Sequence, residues 1–382
     1  MADPNSIVLS AGVQSNLLSL QTTNDLFTQI NNRLSTGKKV NSALDNATNY
    51  FLSNAFKTSA STLQGLLDNG ITNSLRTIDA ANTGITAITA LINQIKANLA
   101  QSLQTTPTTA VYTGTVSNLT TASSFATVAG HTITVSDGVT VATYTTVGAA
   151  TTVAQITNAI NNTALETVKV ELSGSGQLLL EAQGATTITI GGTATAGELA
   201  QFGLVAGVTA AGVLSATRTT AAQQFDALRV QIDQLAADSG YNGVSLLNGG
   251  GLKVVFNQTG TSFQTIAGAA DTSTGLGVVA STGNFQTNFD INAAVTNATA
   301  ALATLQTQAS TFASQVAVDQ ARSDFTKAQI NTLNTGANGL VVSDANADGA
   351  NLLALQTRQQ LGSTALSLAT QADRGVLRLF GG

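Results

Sequence analysis

Charge is what this chain most lacks. Asp, Glu, Lys and Arg make up 9% of its 382 residues, against about 25% in an ordinary soluble domain, while hydrophobic residues stand at 43%. Thr, Ser, Asn, Gln, Ala and Gly take the place of the missing charge, and no charged side chain occurs between Lys96 and Asp137. A lone globule stays soluble through surface charge. A surface this poor in it is expected to be covered largely by other chains. The net charge of −5 comes without any basic stripe, which argues against a nucleic-acid partner.

Cysteine and tryptophan are absent and histidine occurs once, at His131. Without Cys there is no disulfide framework and no thiolate zinc site. A single His excludes every two-histidine motif, the metalloprotease H-E-x-x-H included, and His131 reads as a structural residue at a strand edge. No catalytic constellation, cofactor site or metal site stands out, so the chain is not expected to be an enzyme. Asp344-Ala345-Asn346-Ala347-Asp348-Gly349 imitates the opening of an EF-hand loop, but the twelfth position is Leu355 rather than a bidentate Glu; a helix N-terminus capped by Ser343 or Asp344 is the expected reading. No run of 18 apolar residues exists, so no membrane span is expected. The opening MADPNSIVLSAG lacks the basic segment of a signal peptide. Only Pro4 and Pro107 interrupt the backbone, which leaves room for very long helices.

Helical periodicity dominates both ends. Val13, Leu20, Phe27 and Leu34 repeat every seven residues, with Leu17 between them. Leu67, Ile71, Ser74, Ile78, Ala81, Ile85, Ile88, Ile92, Ile95 and Leu99 alternate spacings of four and three, a coiled-coil seam. Ile291, Val295, Ala298, Leu302, Leu305, Ala309, Phe312 and Val316 keep the same alternation. Beyond Val316 the apolar residues move to Val318, Ala321, Phe325 and Ala328, which predicts a register slip. The last segment carries Leu361, Ala365, Leu368, Ala372 and Leu379, and a second stripe through Leu352, Leu355, Leu366 and Val376. Helices over 5–34 and 345–380, each about 45–55 Å long at ~1.5 Å per residue, suit an antiparallel pair. Such a pair buries little by itself and needs further neighbours.

The middle of the chain changes period. Residues 111–215 alternate Thr and Val with Gly, the period of strands. Thr132–Val135 and Val139–Tyr144 flank Ser136-Asp137-Gly138 as a hairpin, and Thr152 is placed to cap a short helix with Val153, Ile156 and Ile160 on one face. Strands are expected at Val168–Leu172, Leu178–Glu181 and Thr186–Ile190. Helical spacing resumes at Phe225, Leu228, Ile232 and Leu235, before a second hairpin through Leu252–Phe256 and Phe263–Ile266.

Residues 33–47 read RLSTGKKVNSALDNA. In Arg33, Leu34, Ser35, Gly37, Val40, Asn41, Ser42, Ala43, Asp45, Asn46 and Ala47 this segment resembles the N-terminal signature of bacterial flagellin. The closing VLRLF at Val376–Phe380 is similar to the end of that family. Tyr241-Asn242-Gly243-Val244-Ser245-Leu246-Leu247 resembles its F-N-G-x-x-L-L, and Ser323–Ile330 the stretch before its C-terminal linker. The resemblance implies a mainly α fold: long antiparallel coiled-coil helices from both termini, a shell domain with a β-hairpin, and a small α+β insert. It implies inner-tube helices over 1–44 and 337–382, a helical shell over 45–104, 220–285 and 286–336, and a surface-exposed outer domain over 105–219. This placement departs from the family, whose variable domain usually follows the hairpin.

As function, the resemblance implies a secreted structural subunit of the extracellular flagellar filament, exported unfolded and polymerising with other copies for swimming. Val13, Leu17, Leu20, Phe27, Leu34, Leu361, Leu368 and Leu379 are then expected at the assembly interface, and Ile78, Ile85, Ile88, Ile92, Ile95, Leu302, Leu305 and Phe312 in the coiled-coil seam. Expected partners are sister subunits, the flagellar export apparatus, an export chaperone, cap and hook-associated proteins, and a glycan on, or bound by, the insert. No cofactor is implied. A hook–filament junction protein and a surface adhesin or polysaccharide-binding protein are the alternatives. Gln94 and Ala97 stand where many flagellins carry an Arg and a Glu that resemble contacts of the Toll-like receptor, which predicts weak recognition by it.

Overall fold

The computed structural model describes residues 11–148, 150–163, 165 and 167–380, the side chains of 373 and 376–380 excepted. The chain divides into two compact units, one built from 1–70, 255–262 and 321–382, the other from 71–254 and 263–320. Mostly helical, it carries some antiparallel strands.

The first unit contains α1 (Ala11–Thr36), α2 (Ala47–Leu66), the C-terminal part of α7 (Asn288–Val341) and α8 (Ala345–Phe380). Asn46 starts α2 by accepting the Asn49 amide at 2.9 Å, a side-chain N-cap. Ser53 Oγ on α2 donates to the Ala337 carbonyl of α7 at 3.1 Å, and Gly336 leaves space for the Phe56 ring. A π-helical turn, Leu67–Ile71, ends α2 and leads into α3 (Thr72–Leu103).

In the second unit α3 packs against α6 (Ala216–Asp238). All the aliphatic seam positions of α3 are buried, Ile78, Ile88, Ile92, Ile95 and Leu99 completely so. Phe225, Leu228 and Ile232 of α6 are buried too, as their spacing predicts. Gly84 allows the close approach at the far end of α6: a Cβ there would lie 2.1 Å from Ser239 Oγ. The inserted domain comprises β1 (Val111–Thr113), β2 (Ser124–Phe125), β3 (Thr132–Ser136), β4 (Val141–Thr145), β5 (Thr151–Thr152), α4 (Val153–Asn161), β6 (Val168–Leu172), β7 (Leu178–Ala182), β8 (Ile188–Gly192), α5 (Ala196–Gln201) and β9 (Gly207–Thr209). Two antiparallel sheets, β1-β7-β6 and β4-β3-β8-β9, enclose one core with α4. Alternate residues such as Ile133, Val135, Val168, Val170, Ile188 and Ile190 point into it. Asp137 organises the β3–β4 turn, accepting the amides of Val139 and Thr140 at 2.8 and 2.7 Å, and Thr152 with Gln155 forms a capping box on α4. His131 is paired with Glu198 at 2.9 Å, a structural partner for the one histidine. After α6 come the tight hairpin β10 (Gly240–Tyr241) and β11 (Val244–Ser245) and the pair β12 (Gly251–Val255) and β13 (Phe263–Ala267). Asn242 and Gly243 both have positive φ, 51° and 80°, as a two-residue turn between twisted strands demands.

α7 corrects one expectation. No slip occurs after Val316. The buried positions run Ile291, Ala298, Leu305, Phe312, Asp319 and Thr326, one every seven, with Ser323 and Ile330 also buried, while Val318 and Phe325 are exposed and Leu302 is half-buried. The seam continues through polar residues, and one of them, Asp319, has a partner across it. Ser74 Oγ of α3 donates to Asp319 Oδ2 at 2.5 Å, and both residues are fully buried. Burial raises the Asp319 carboxyl above its ordinary value, against the lowering effect of the Ser74 hydroxyl.

Replacing Ser74 by Ala would leave Asp319 without that donor and should cost about 1–3 kcal/mol of stability, the range for an unsatisfied buried polar group. Ser74→Ala with Asp319→Leu should recover most of it, since an apolar layer suits an aliphatic seam. Urea midpoints of the two variants test the pair.

Candidate assembly surface

α1 and α8 run antiparallel: Asn24 Oδ1 accepts the Gln359 side-chain amide at 2.9 Å, and Gly362 lies against Leu20. The covered positions of α8 are Asp348, Leu352, Leu355, Gln359, Gly362, Leu366 and Ala369. They alternate spacings of four and three, so the stripe through Leu352, Leu355 and Leu366 is the one that meets α1. On α1 the covered positions are Val13, Asn16, Leu20, Thr23, Phe27, Ile30 and Arg33. Leu17 and Leu34, placed on this stripe by the heptad reading, are instead exposed. The seven-residue repeat of Val13, Leu20 and Phe27 is kept, and the place between is taken three residues on, by Asn16, Thr23 and Ile30, rather than four residues on at Leu17; Thr23 satisfies its hydroxyl on the Ser19 carbonyl at 2.8 Å.

The outer stripe of α8 stays open. Leu361 and Leu368 are 65% and 68% exposed, and Leu353 and Leu18 are similarly bare. Leu379 lies in the last turn of α8, with its side chain outside the described residues. Leu18, Leu26, Leu361, Gly362 and Ala365 line an open groove of ≈ 700 Å³ along the pair, with Arg358 at one side. Only Asp25 and Arg33 are charged on α1. On this side of α1 the apolar face has few charges beside it.

The RLSTGKKVNSALDNA segment forms a clasp. Gly37 takes φ +67°, ending α1 in the left-handed conformation that glycine adopts without strain. Lys39 N and Val40 N donate to the Val341 carbonyl at 2.8 and 3.3 Å, and Ser343 N returns to the Gly37 carbonyl at 3.0 Å. Lys39 Nζ caps the Gly339 carbonyl at 3.1 Å near the C-terminus of α7, where a cation is favoured. Asp45 Oδ2 accepts the amides of Asn41 and Ser42 at 2.8 and 2.9 Å. The Ser42 and Asn41 amides hold this carboxylate below its ordinary range. Ser35 bonds the Asn32 carbonyl within α1. Leu44 stands 98% exposed at the tip of the clasp, a position sequence pattern could not single out.

Of the predicted seam residues, Ile78, Ile85, Ile88, Ile92, Ile95, Leu305 and Phe312 are buried within the chain, and Leu302 is half-buried. Asp344 accepts the Asn346 amide at 2.9 Å at the start of α8, a helix cap rather than a cation loop. Among the described residues no group of three or more ligating side chains could hold a metal, and no helix is long and apolar enough to cross a membrane.

Asp45→Ala should speed amide exchange of Asn41 and Ser42, leaving α2 intact through its own Asn46 cap. Because the carboxyl is lowered in the folded state, its contribution is present above the unfolded value and lost as acid protonates it. Protection of these amides, relative to their intrinsic exchange at each pH, should therefore fall on acidification in the wild type and stay unchanged in the variant.

Comparison with known proteins finds flagellins. Residues 10–134 match the bacterial flagellin N-terminal helical region. Over 165 residues the chain is 36% identical to the flagellin FljM of Caulobacter vibrioides, covering 41% of this chain and 57% of FljM. The flagellins FljK and FljO of the same organism match at 35% and 34% identity over the same shares. The chain thus spans just over half the length of the curated relatives it matches.

Proposed function

Because its N-terminal helical region is that of a bacterial flagellin, we propose that the chain is the structural subunit of a flagellar filament, without catalytic activity, working outside the cell. The observation that carries this reading is the outer leucine stripe of α8. Leu361 and Leu368 face solvent, while the inner stripe is already covered by α1. Copies stacking through these stripes would bury them, each leucine contributing about 1.5–3 kcal/mol. Leu18, Leu26 and the groove between α1 and α8 would take part. In this reading α3, α6 and α7 act as the coiled-coil shell and the insert projects outward.

Export in the unfolded state suits a chain without cysteine, whose helices gain their partners only at the growing end. The export apparatus, a chaperone, cap and hook-associated proteins, and glycans at the insert belong to the same proposal. So does weak engagement of the Toll-like receptor through Gln94 and Ala97, which are exposed on α3.

Leu368→Asp should leave the stability of the single chain unchanged, since the side chain is already exposed. It should raise the critical concentration for polymerisation by about one to two orders of magnitude, the loss of one buried leucine at ~1.4 kcal/mol per tenfold. Leu355→Asp, on the inner stripe, should destabilise the α1–α8 pair itself. Sedimentation and negative-stain microscopy distinguish the two, and normal filaments from Leu368→Asp would remove that residue from the interface. Deleting 108–217 with a short linker should give thinner filaments that still assemble; failure to assemble would put the insert inside the shell.

A further inference from the structure

Three passages of chain meet where the insert leaves the helices: Thr105 after α3, Ser215–Arg218 opening α6, and Phe285–Asp290 opening α7. Arg218, with no exposed surface, pins them. Its guanidinium donates to the Thr105 carbonyl at 2.7 Å, the Gln286 carbonyl at 2.8 Å and Asn288 Oδ1 at 2.7 Å. All these acceptors are neutral. Beside the pin, β7 brings in Glu181, 1% exposed. One of its carboxylate oxygens accepts the Asn288 amide in the first turn of α7, and the other, Oε1, has no donor.

Groups of both signs surround Glu181. Glu171 on β6 and Asp290 on α7 add like charge, Lys169 stands opposite Glu181 in the β6–β7 register, and β1 places uncharged Val111 across from it. Arg218 on α6 is a cation within electrostatic reach, but its hydrogen bonds are spent on the pin. Asp290 is itself held by the Gln183 amide at 2.8 and 2.9 Å, a second stitch between insert and α7.

We propose that Glu181 is a proton-controlled latch between the insert and the helices: neutral, it seats β7 on the first turn of α7; ionised, it is drawn toward water and frees the insert to move about the Arg218 pin. Burial pushes the Glu181 carboxyl up to about 7, and Glu171 and Asp290 add to the rise against the Asn288 amide and Arg218. A group raised in the folded state contributes its stability fully below the unfolded value and loses it as pH climbs through the folded one. The latch is therefore closed in mild acid and opens through neutrality. It depends only on geometry within one chain, not on polymerisation.

The absence of native cysteine permits a clean distance measurement. In the full chain, Val139→Cys on the insert and Thr304→Cys on α7, both exposed sites, carry spin labels for pulsed dipolar spectroscopy. The expected result is a narrow distance distribution at about pH 6 that broadens at about pH 8.5. Adding Glu181→Gln, a neutral isostere, should keep it narrow at both. Equal widths at the two pH values in the labelled parent, or broadening that persists with Glu181→Gln, would overturn the latch.

Discussion

The helices of this chain carry apolar residues at alternating spacings of three and four and have little charge on their other faces. Such a helix has a stripe that water covers poorly and no charged face to make isolation tolerable, so its stability has to come from neighbours. The molecule supplies some of them. α3 is covered so thoroughly that five of its aliphatic residues lose all exposure. The α1–α8 pair is covered on one side only, and its second leucine stripe remains bare. The two helix systems differ in this, one covered and one half-covered, and the bare stripe is the surface on which the proposed assembly rests.

Polar residues inside the apolar seams give them register. Leucine and isoleucine layers tolerate sliding, because one aliphatic layer resembles the next. A buried hydroxyl–carboxyl pair such as Ser74 and Asp319 makes its hydrogen bond in only one alignment, and a shifted helix would strand both groups. The clasp of residues 37–46 does similar work with backbone amides, holding α1 and α2 to the α7–α8 turn through the Val341 and Gly37 carbonyls.

The insert has its own core of alternating strand residues, so it does not need the helices to bury its apolar side chains. Its attachment to them is polar: one buried guanidinium, two carboxylates and an amide. A polar joint can be strong and still responsive to conditions, whereas an apolar one of the same size would respond little to protons.

The sequence alone determined that long helices occupy both ends of the chain, that strands fill its middle, and which turn closes the first hairpin; it did not give the limits of α6 or the unbroken run of α7 to Val341. These features depend on residues close together in the chain: the 3.6-residue repeat, the Thr152 cap, and the turn at Asp137 and Gly138. The signature of 33–47 and the seam of α3 were legible for the same reason. Which of two stripes on α8 turns inward, why α7 keeps register through Asp319, and the grouping of Arg218 with Glu181 and Asn288 were decided only by tertiary structure. A periodic stripe specifies that a face must be covered but not what covers it. A buried polar residue becomes acceptable only when its partner, 245 residues distant for Asp319, arrives in space.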